Sequence, residues 1–437
     1  MSDFELRDPI HKRIAFSKEE REIIDHPYFQ RLRFIQQLGL PQTYVYPGAL
    51  HSRFIHCLGT MHVAGRIVAH FLSSYEELKG LSDALQDGLR NRMRLAGLLH
   101  DIGHGPFSHA SEAVFPILET LDLDWSWWKE IDRSRQSVHE DYSVLIVLEL
   151  SRQGVLEKDV AQDIASMIHK DVIPSKWFLD LEKDLPGVHQ LFKSLISGEI
   201  DADRMDYLLR DSYYCGVAYG QYDLDWLISS LGLAKVNERY VLTIAENGVR
   251  AFEDMLLARY HMIDQVYFHK TKAGFTHYLH QAIKQKEIDL HIPSKVDQYV
   301  RLRDDTVIDM LQVAAQDESN YWSHHLMGRI VAKRIVRLQA TRSDDQRLMK
   351  QLTELCDENN IRYFTHTASN ELSKIEETSE KGQMFVMRKM LKKRWYTPMY
   401  EHSDLLKKYN EKLDFTDFFV LKEDFKEFAK IADILEV

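Results

Sequence analysis

The segment RLAGLLHDIGHGPFSHASE, residues 94–112, constrains this chain more than any other. Leu95, Leu98 and Leu99 follow the periodicity of a helix, which ends in the adjacent pair His100 and Asp101. Adjacent side chains on a helix point about 100° apart, so both reach one ion only if that ion lies close to the helix. Ionisable groups are costly to bury without partners. This segment therefore predicts a functional site at the end of an apolar helix.

Two further segments favour a metal site over the alternative, a histidine that caps a helix or lies on the surface. HSRFIHCLGTMH (51–62) contains His56, and GEIDADRMDYLLRDS (198–212) is dense in aspartate around Asp203. Two imidazoles and two carboxylates suit Mn, Fe, Zn, Ni or Mg and do not choose among them. For the aspartates, a charged, solvent-exposed helix face is the alternative.

The scarcity of glycine and proline, 19 and 10 among 437 residues, favours long helices. Apolar periodicity predicts a strand at 240–244 and helices at about 17–25, 28–38, 59–78, 91–101, 108–121, 137–153, 158–170, 189–197, 201–214, 222–232 and 249–283. Beyond residue 320, helices at 322–340 and 343–358 alternate with strand-like IRYFTHT, QMFVM and DFFVL. The sequence predicts a mainly α protein, with a helical core over residues 1–315 and a smaller α/β lobe over 316–437.

Composition narrows the protein class. The net charge of −11 weighs against a general nucleic-acid coat protein. The three cysteines are far apart and form neither a disulfide framework nor a zinc-binding pair, which favours a reducing compartment. No apolar run approaches the length of a membrane span, and the first residues lack the apolar core of a signal peptide. We therefore expect a cytoplasmic protein without membrane contact.

The order His56, His100-Asp101, Asp203 is the signature of HD-domain phosphohydrolases. The chain further resembles the deoxynucleoside triphosphate triphosphohydrolases (dNTPases) of that superfamily. The matching segments cover the first 270 residues in order: DPIH (8–11), DHPYFQRLRFIQQLG (25–39), HSRFIHCLG (51–59), LLHDIGHGPFSH (98–109), VHEDYS (138–143), IDADRMDYLLRDS (200–212) and, more weakly, VYFHK (266–270). The resemblance implies a helical HD-domain core with its motif region at about 50–215, a divalent metal ion, a dNTP substrate and a homo-oligomer (dimer or tetramer).

The resemblance also assigns roles to individual residues. It implies four metal ligands: His56, His100, Asp101 and Asp203. Near the scissile phosphate it implies His109 and His139, with Glu112 orienting His109. His104 lies beside them in the sequence and is either a catalytic or a structural residue. It implies phosphate and sugar contacts from Arg53, Arg204, Gln37, Leu38, Tyr207, Asp211 and Tyr267. The implied reaction is attack on the α-phosphorus, which yields a deoxynucleoside and inorganic triphosphate.

A regulatory site is implied by the same resemblance. Asp25, Gln30 and Arg33 match residues that read a guanine base in an effector nucleotide, which predicts activation by GTP or a dNTP. Their alternative is ordinary helix capping and surface pairing. Phe4, Glu5 and Leu6, which precede Arg7 and the DPIH segment, occupy the stretch where some relatives carry a basic residue.

Other functions remain open from the sequence. The basic run MRKMLKKRW (387–395) is either a single-stranded nucleic-acid contact, with Trp395 available for stacking, or a solvated face. A different HD activity, such as a 5′-nucleotidase or a phosphodiesterase, is one alternative to the dNTPase. Another is a nucleotide- or nucleic-acid-binding regulator without turnover. The pattern of Tyr207 and Asp211 after the last ligand disfavours the first alternative, and the complete ligand set disfavours the second.

Overall fold

A computed structural model describes residues 4–371, 373, 375, 384–391, 393–409 and 412–432. The predicted mainly helical fold is confirmed. The helices are α1 (Lys18–Ile24), α2 (Pro27–Gln30), α3 (Leu40–Thr43), α4 (Arg53–Ser74), α5 (Glu76–Lys79), α6 (Asp83–Leu99), α7 (His139–Arg152), α8 (Lys158–Ile168), α9 (Lys176–Asp184), α10 (Val188–Ser194), α11 (Ala202–Cys215), α12 (Leu224–Ser230), α13 (Val249–Met262), α14 (Lys270–Lys284), α15 (Val296–Tyr299), α16 (Asp304–Ala314), α17 (Tyr321–Met327), α18 (Ser343–Glu358), α19 (Met399–His402), α20 (Asp404–Tyr409) and α21 (Phe425–Ala432).

The strands form three small sheets. They are β1 (Phe4–Asp8), β2 (Lys12–Phe16), β3 (Leu231–Val236), β4 (Arg239–Ala245), β5 (Lys333–Leu338), β6 (Tyr363–Glu371), β7 (Phe385–Met390), β8 (Lys393–Pro398) and β9 (Lys412–Val420). The sheets have the orders β1-β2, β3-β4-β7-β8 and β5-β9-β6. All pairs are antiparallel except β4 with β7.

The chain divides into two compact units that interleave in sequence. The first comprises Met1–Met262, His291–Asp305 and Ser373–Lys408, and the second comprises Ile263–Leu290, Thr306–Leu372 and Tyr409–Val437. The sequence predicts a single boundary near residue 315 instead. Strand pairing explains the difference, because β7 adds to β4 of the first unit while β9 lies between β5 and β6 of the second.

The first unit is built around α4, which packs against α6 and α11. Gly97 allows α6 to approach α4 closely, because a Cβ atom there would lie 3.0 Å from the carbonyl oxygen of Thr60. The faces between these helices are lined by fully buried Met61, Leu98 and Leu208. This packing fixes the C-terminal end of α6, where His100 and Asp101 lie.

The second unit has its own apolar core between its sheet and two helices. Leu352 and Cys356 on α18 pack with Phe418 on β9 and Phe428 on α21. The strand-like pattern IRYFTHT, which predicts a strand near 361–367, corresponds to β6. Helix α18 has the bounds that the sequence predicts, 343–358.

Several predicted helices are shorter or absent. The helix predicted at 28–38 ends as a 3-10 turn at Phe34, since Ile35 is extended and Gln36 bridges to Ser52. The helix predicted at 108–121 is a 3-10 segment over Ser108–Val114, which stops before Pro116. The one predicted at 322–340 ends at Met327, because Arg329 adopts a positive φ before β5 begins.

Two further differences concern short elements. The β1-β2 hairpin has no counterpart among the predicted elements. The helix predicted at 249–283 is two helices, separated by a π-helical turn over Ile263–Tyr267 and restarted at His269, whose side chain caps α14. Within the described ranges, no helix has both the length and the apolar character needed to cross a membrane.

Candidate active site

Three helix ends carry the predicted metal ligands. His56 lies in the first turn of α4, and His100 and Asp101 follow directly after α6. Asp203 lies in the first turn of α11, whose N-cap is Asp201. Asp201 fixes this start by accepting hydrogen bonds from the backbone N–H groups of Arg204 and Gly198.

The four side chains converge on one point in the first unit. The Nε2 atom of His56 lies 3.0 Å from Oδ1 of Asp203 and 3.7 Å from Oδ2 of Asp101. The Nε2 atom of His100 lies 3.4 Å from an oxygen of each of the same carboxylates. The ligand atoms of His56, His100 and Asp101 all lie within 4.8 Å of one another, as a shared ion requires.

The hydrogen bonds of both histidines leave the same nitrogen facing this point. Nδ1 of His56 donates to Asp206 Oδ2 at 2.8 Å, and Nδ1 of His100 donates to the carbonyl oxygen of Gly97 at 2.9 Å. Each Nε2 atom is buried and faces the carboxylate oxygens of Asp101 and Asp203. Two buried imidazole nitrogens beside two carboxylates fit a divalent transition metal, so the donor set is suited to the predicted ion.

The charges at this point are strongly coupled. Burial lowers the pKa of His56, but hydrogen bonds to Asp203 and Asp206 outweigh it and raise the pKa to about 10. Burial raises the pKa of Asp203, but His100 and His56 outweigh it, so this pKa lies well below its usual value. The carboxylates of Asp203 and Asp206 thus favour the protonated form of the His56 imidazole. A cation that binds at this point would take the place of such protons.

A second group of ionisable residues lies beside the first. The ligand atoms of His104, His109, Glu112 and His139 all lie within 4.8 Å of one another. The His104 ring stacks on the His139 ring at 3.7 Å, and Nδ1 of His139 donates to Glu112 Oε1 at 2.5 Å. His109 donates to the same oxygen at 3.1 Å and is largely exposed. Glu112 therefore orients both His109 and His139, whereas the sequence assigns it to His109 alone.

The two arginines predicted to hold phosphate already contact acidic groups. Arg53, at the first position of α4, contacts Asp101 through Nη1 and donates from Nε to Ser108 Oγ at 3.0 Å. Arg204 forms an ion pair with Glu199 at 3.1 Å. Arg53 is thus adjacent to the metal-ligand group, and Arg204 is anchored at the start of α11.

The residues predicted to contact the sugar are only partly brought together. Tyr207 meets the His56 ring edge-on at 6.4 Å, and burial raises its pKa to about 12. Asp211 accepts a hydrogen bond from His51 at 2.7 Å. Gln37 accepts a 3.5 Å hydrogen bond from Arg53 at its backbone carbonyl, and the neighbouring Leu38 is half-buried. Tyr267 belongs to the π-helical turn of the second unit.

The predicted effector residues form local contacts. Asp25 caps the end of α1 and pairs with Arg21 at 3.1 Å. Gln30 donates to the Ile24 carbonyl and accepts from Arg33, whose guanidinium lies over the Phe54 ring. These contacts are those of the alternative interpretation, helix capping and surface pairing, and they leave the effector role a prediction.

The basic run 387–395 forms the β7-β8 hairpin, with Lys392 outside the described residues. Leu391 at its turn has a positive φ and is exposed. Arg388 pairs with Glu246 at 3.0 Å and lies over the Trp395 ring. Part of the positive charge and part of the stacking surface of this run are therefore used within the protein.

Sequence reasoning assigned no role to several residues that support the site. Asp206 connects His56 to His11 and Arg210 by hydrogen bonds. Asp304 accepts from the backbone N–H groups of Gln36 and Phe107, which fixes the loops beside Arg53 and His109. The available signals were the position of His11 in the DPIH segment and the i, i+4 spacing of Asp206 and Arg210.

Comparison with known proteins agrees with this arrangement. Residues 53–211 match the family profile of the HD domain, and residues 222–363 match that of the HD associated region. The uncharacterised protein YwfO of Bacillus subtilis is 36% identical over 270 residues, which cover 60% of this chain and 51% of that protein. The human deoxynucleoside triphosphate triphosphohydrolase SAMHD1 is 30% identical over 270 residues, which cover 61% of this chain and 42% of that protein.

The fold is shared with solved structures. A hypothetical protein from Aquifex aeolicus superposes with a TM-score of 0.73 at 24% identity, covering 98% of this chain and 99% of that one. A phosphohydrolase from Bacteroides thetaiotaomicron superposes with a TM-score of 0.69 at 23% identity, covering 96% of this chain and 99% of that one. These two likenesses concern the fold alone.

The chain spans about half the length of the curated relatives that it matches, with 46% and 51% of two of them covered. The matched segments cover about 61% and 60% of this chain. The HD profile begins at Arg53 and ends at Asp211, so it includes all four residues that converge in the site. The chain therefore contains an HD domain followed by an HD associated region, and part of it is similar to the deoxynucleoside triphosphate triphosphohydrolases SAMHD1.

Proposed function

We propose that this protein hydrolyses deoxynucleoside triphosphates to deoxynucleosides and inorganic triphosphate, with a divalent metal ion held by His56, His100, Asp101 and Asp203. One observation carries the proposal: the two histidines turn their buried Nε2 atoms towards the two carboxylates. The similarity to SAMHD1 proteins supports the choice of a dNTP as the substrate.

Hydrolysis of a phosphoryl ester is slow because an anionic nucleophile must approach an anionic phosphate. The cation that His56, His100, Asp101 and Asp203 would hold would lower the pKa of a water molecule and polarise a phosphate oxygen. Arg53 contributes a guanidinium next to the ligand Asp101, where it can pair with phosphate oxygens in a bidentate manner. Arg204 adds a second positive charge at the start of α11, beside Asp203.

Proton transfer is assigned to the histidine group. Glu112 accepts from Nδ1 of His139, so the Nε2 atom of His139 can carry the proton that the leaving oxygen needs. Burial lowers the pKa of His139, but the bond to Glu112 and the charges of Glu140 and Asp101 outweigh burial and raise it. The raised pKa favours the protonated form of His139, which a general acid requires. His109, on the same carboxylate, is the other candidate donor, and stacked His104 restrains the His139 ring.

Selection of deoxyribose is assigned to the residues that the resemblance places at the sugar. Tyr207 lies against the His56 ring, and Asp211 is held by His51. A side chain packed close to the 2′ carbon leaves no room for a hydroxyl group, so it rejects ribose by steric exclusion. Gln37 and Leu38 belong to the same proposed set, and the resemblance alone implies a sugar contact for Tyr267.

Three accompanying properties are proposed as well. The protein forms a dimer or a tetramer; GTP or a dNTP activates it through Asp25, Gln30 and Arg33; and the β7-β8 hairpin contacts single-stranded nucleic acid. The first two follow from the resemblance of the first 270 residues to the dNTPases, and the exposed Lys389 and Lys393 of the hairpin support the third. Turnover that is unchanged by added GTP, with a dNTP that cannot itself activate, contradicts the activation proposal.

The test is product analysis with each dNTP, with GTP and with each deoxynucleoside monophosphate, in Mn²⁺ and in Mg²⁺; the dNTPs are tested singly and as a mixture of the four. We expect deoxynucleoside and triphosphate from the dNTPs and none from GTP. Asp101→Ala is expected to abolish turnover. Turnover only in the mixture indicates an effector site. Release of nucleoside from monophosphates instead indicates a 5′-nucleotidase, and metal-loaded protein without any turnover indicates a regulator; either result contradicts the proposal.

A further inference from the structure

The buried carboxylate of Asp206 links the predicted metal ligand His56 to the N-terminal hairpin. Asp206 lies on α11, one turn after Asp203, and is fully buried. Its Oδ2 atom accepts from Nδ1 of His56 at 2.8 Å, and its Oδ1 atom accepts from Nε2 of His11 at 2.6 Å. Arg210, one turn further along α11, donates to both oxygens at 2.8 Å.

This pattern fixes the orientation of the His56 ring. Arg210 can only donate, and it bonds both oxygens of Asp206, which leaves one acceptor position on each oxygen for His56 and for His11. With Nδ1 of His56 bonded to Asp206, the nitrogen that faces the predicted ion is Nε2, which lies 3.0 Å from Asp203. Carboxylate–histidine pairs orient metal ligands in this way in many proteins.

Gly59 leaves space for the carboxylate of Asp206. A Cβ atom on Gly59 of α4 would overlap the carboxylate of Asp206 and the guanidinium of Arg210. The loop between β1 and β2 is held in the same network, since Asp8 accepts from the backbone N–H groups of Ile10 and His11. Arg210 reaches Asp8 with Nη1 at 2.8 Å. His11 is therefore placed on Asp206 by the hairpin.

We propose that Asp206 and His11 are positioning residues for the metal ion, through which the β1-β2 hairpin contributes to metal affinity. The inference rests on the proposed function, because it concerns the same ion. Asp206 holds His56 in the tautomer and orientation that a metal ligand needs. His11 and Arg210 hold the Asp206 carboxylate in place, and the DPIH segment thereby acquires a role in the site.

The matched comparison uses two buried aspartates that each bond an arginine. Asp206→Asn is expected to weaken Zn²⁺ and Mn²⁺ binding by about 10- to 100-fold, measured by competition with a chromophoric chelator. Asp163 is equally buried and accepts from Arg92 at 2.6 Å, but it makes no contact, among the described residues, with the predicted ligands. Asp163→Asn is expected to lower the melting temperature and to leave metal affinity unchanged.

If Asp206→Asn does not fold, a second pair of variants tests whether the β1-β2 hairpin contributes to metal affinity. His11→Ala is expected to weaken Zn²⁺ binding by less than Asp206→Asn does, and His11→Gln to restore it, because a glutamine amide can still donate to Asp206. Wild-type affinity in His11→Ala, or in a folded Asp206→Asn, overturns the inference. An equal loss in Asp163→Asn also overturns it. A wild-type protein that binds neither cation instead contradicts the proposed function, so the two failures are distinguishable.

Discussion

His139 donates a hydrogen bond from Nδ1 to Oε1 of Glu112 across 2.5 Å, and the same oxygen accepts from His109. One carboxylate thus orients two imidazoles that come from different segments of the chain. Burial raises the pKa of Glu112, but the bonds from both histidines outweigh burial and lower it to about 2. Glu112 is therefore ionised throughout the neutral range.

The hydrogen bond between His139 and Glu112 predicts where the rate falls on the alkaline side of the pH–rate profile. The pKa of His139 is raised, so the histidine remains protonated above pH 6.5 and loses its proton only as the pH rises through the raised value. We expect kcat to fall along that limb. Glu112→Gln removes the charge that raises the pKa, so the limb is expected to move to lower pH. A limb at the same pH in Glu112→Gln contradicts the assignment of His139 as the proton donor.

Substitution of Arg53 is predicted to lower the rate of hydrolysis. It bonds both Asp101 and Ser108, so its guanidinium is held before substrate arrives. Arg53→Ala is expected to lower kcat by on the order of 10²-fold or more, as the removal of a preorganised donor usually does. Arg53→Lys keeps the charge without the fork and is expected to recover part of the rate. Arg152, an exposed partner of Asp122, serves as the control, since Arg152→Lys is expected to be neutral.

Substitution of Gly59 is predicted to weaken metal binding although no metal ligand is changed. A methyl group on Gly59 would displace the Asp206 carboxylate, whereas one on Gly65 of the same helix would meet the flexible end of the Arg94 side chain. Gly59→Ala is expected to lower both the melting temperature and Zn²⁺ affinity, and Gly65→Ala the melting temperature alone. Calorimetry and chelator competition on the two proteins separate these effects. Retained affinity in Gly59→Ala, with a folded protein, argues against the link between Asp206 and the ion.

Metal affinity is expected to depend on pH. The pKa of His56 without a cation is about 10, because Asp203 and Asp206 outweigh the burial that lowers it. Below that pKa a cation must displace a proton, so affinity rises with pH by about tenfold per unit for each proton displaced. Titration of the apoprotein with Mn²⁺ between pH 6 and 8, by about one-unit steps, checks this. An affinity independent of pH would show that His56 is neutral before the ion binds.

The helical part of the fold could be predicted where apolar periodicity is strong and long. Helices α7, α8 and α18 begin and end within about two residues of the predicted positions. Short elements could not be predicted in the same way. In β1 only five residues pair with five residues of β2, too few for a clear alternating pattern. The loss of helix after Phe34 depends on a bridge between Gln36 and Ser52, which is a contact between distant segments.

The convergence of His56, His100, Asp101 and Asp203 follows the order of the motif, and the structure brings these residues together as the sequence order predicts. Their roles remain predictions until a metal is measured. The residues that support the ligands could not be predicted from the sequence. Whether Asp206 or Asp201 bonds His56 depends on which face of α11 packs against α4. The second bond of Glu112, to His139, likewise depends on where α7 begins.

The measurement that tests the central claim most directly is ³¹P NMR of the products after hydrolysis of dGTP in ¹⁸O-labelled water by the metal-loaded protein. Attack of water on the α-phosphorus with departure of the 5′ oxygen predicts deoxyguanosine and intact triphosphate, with the label in the terminal phosphate that was the α-phosphate. The Asp101→Ala protein should produce neither. Deoxyguanosine monophosphate with pyrophosphate, or the diphosphate with orthophosphate, would show a different cleavage and contradict the proposed triphosphohydrolase.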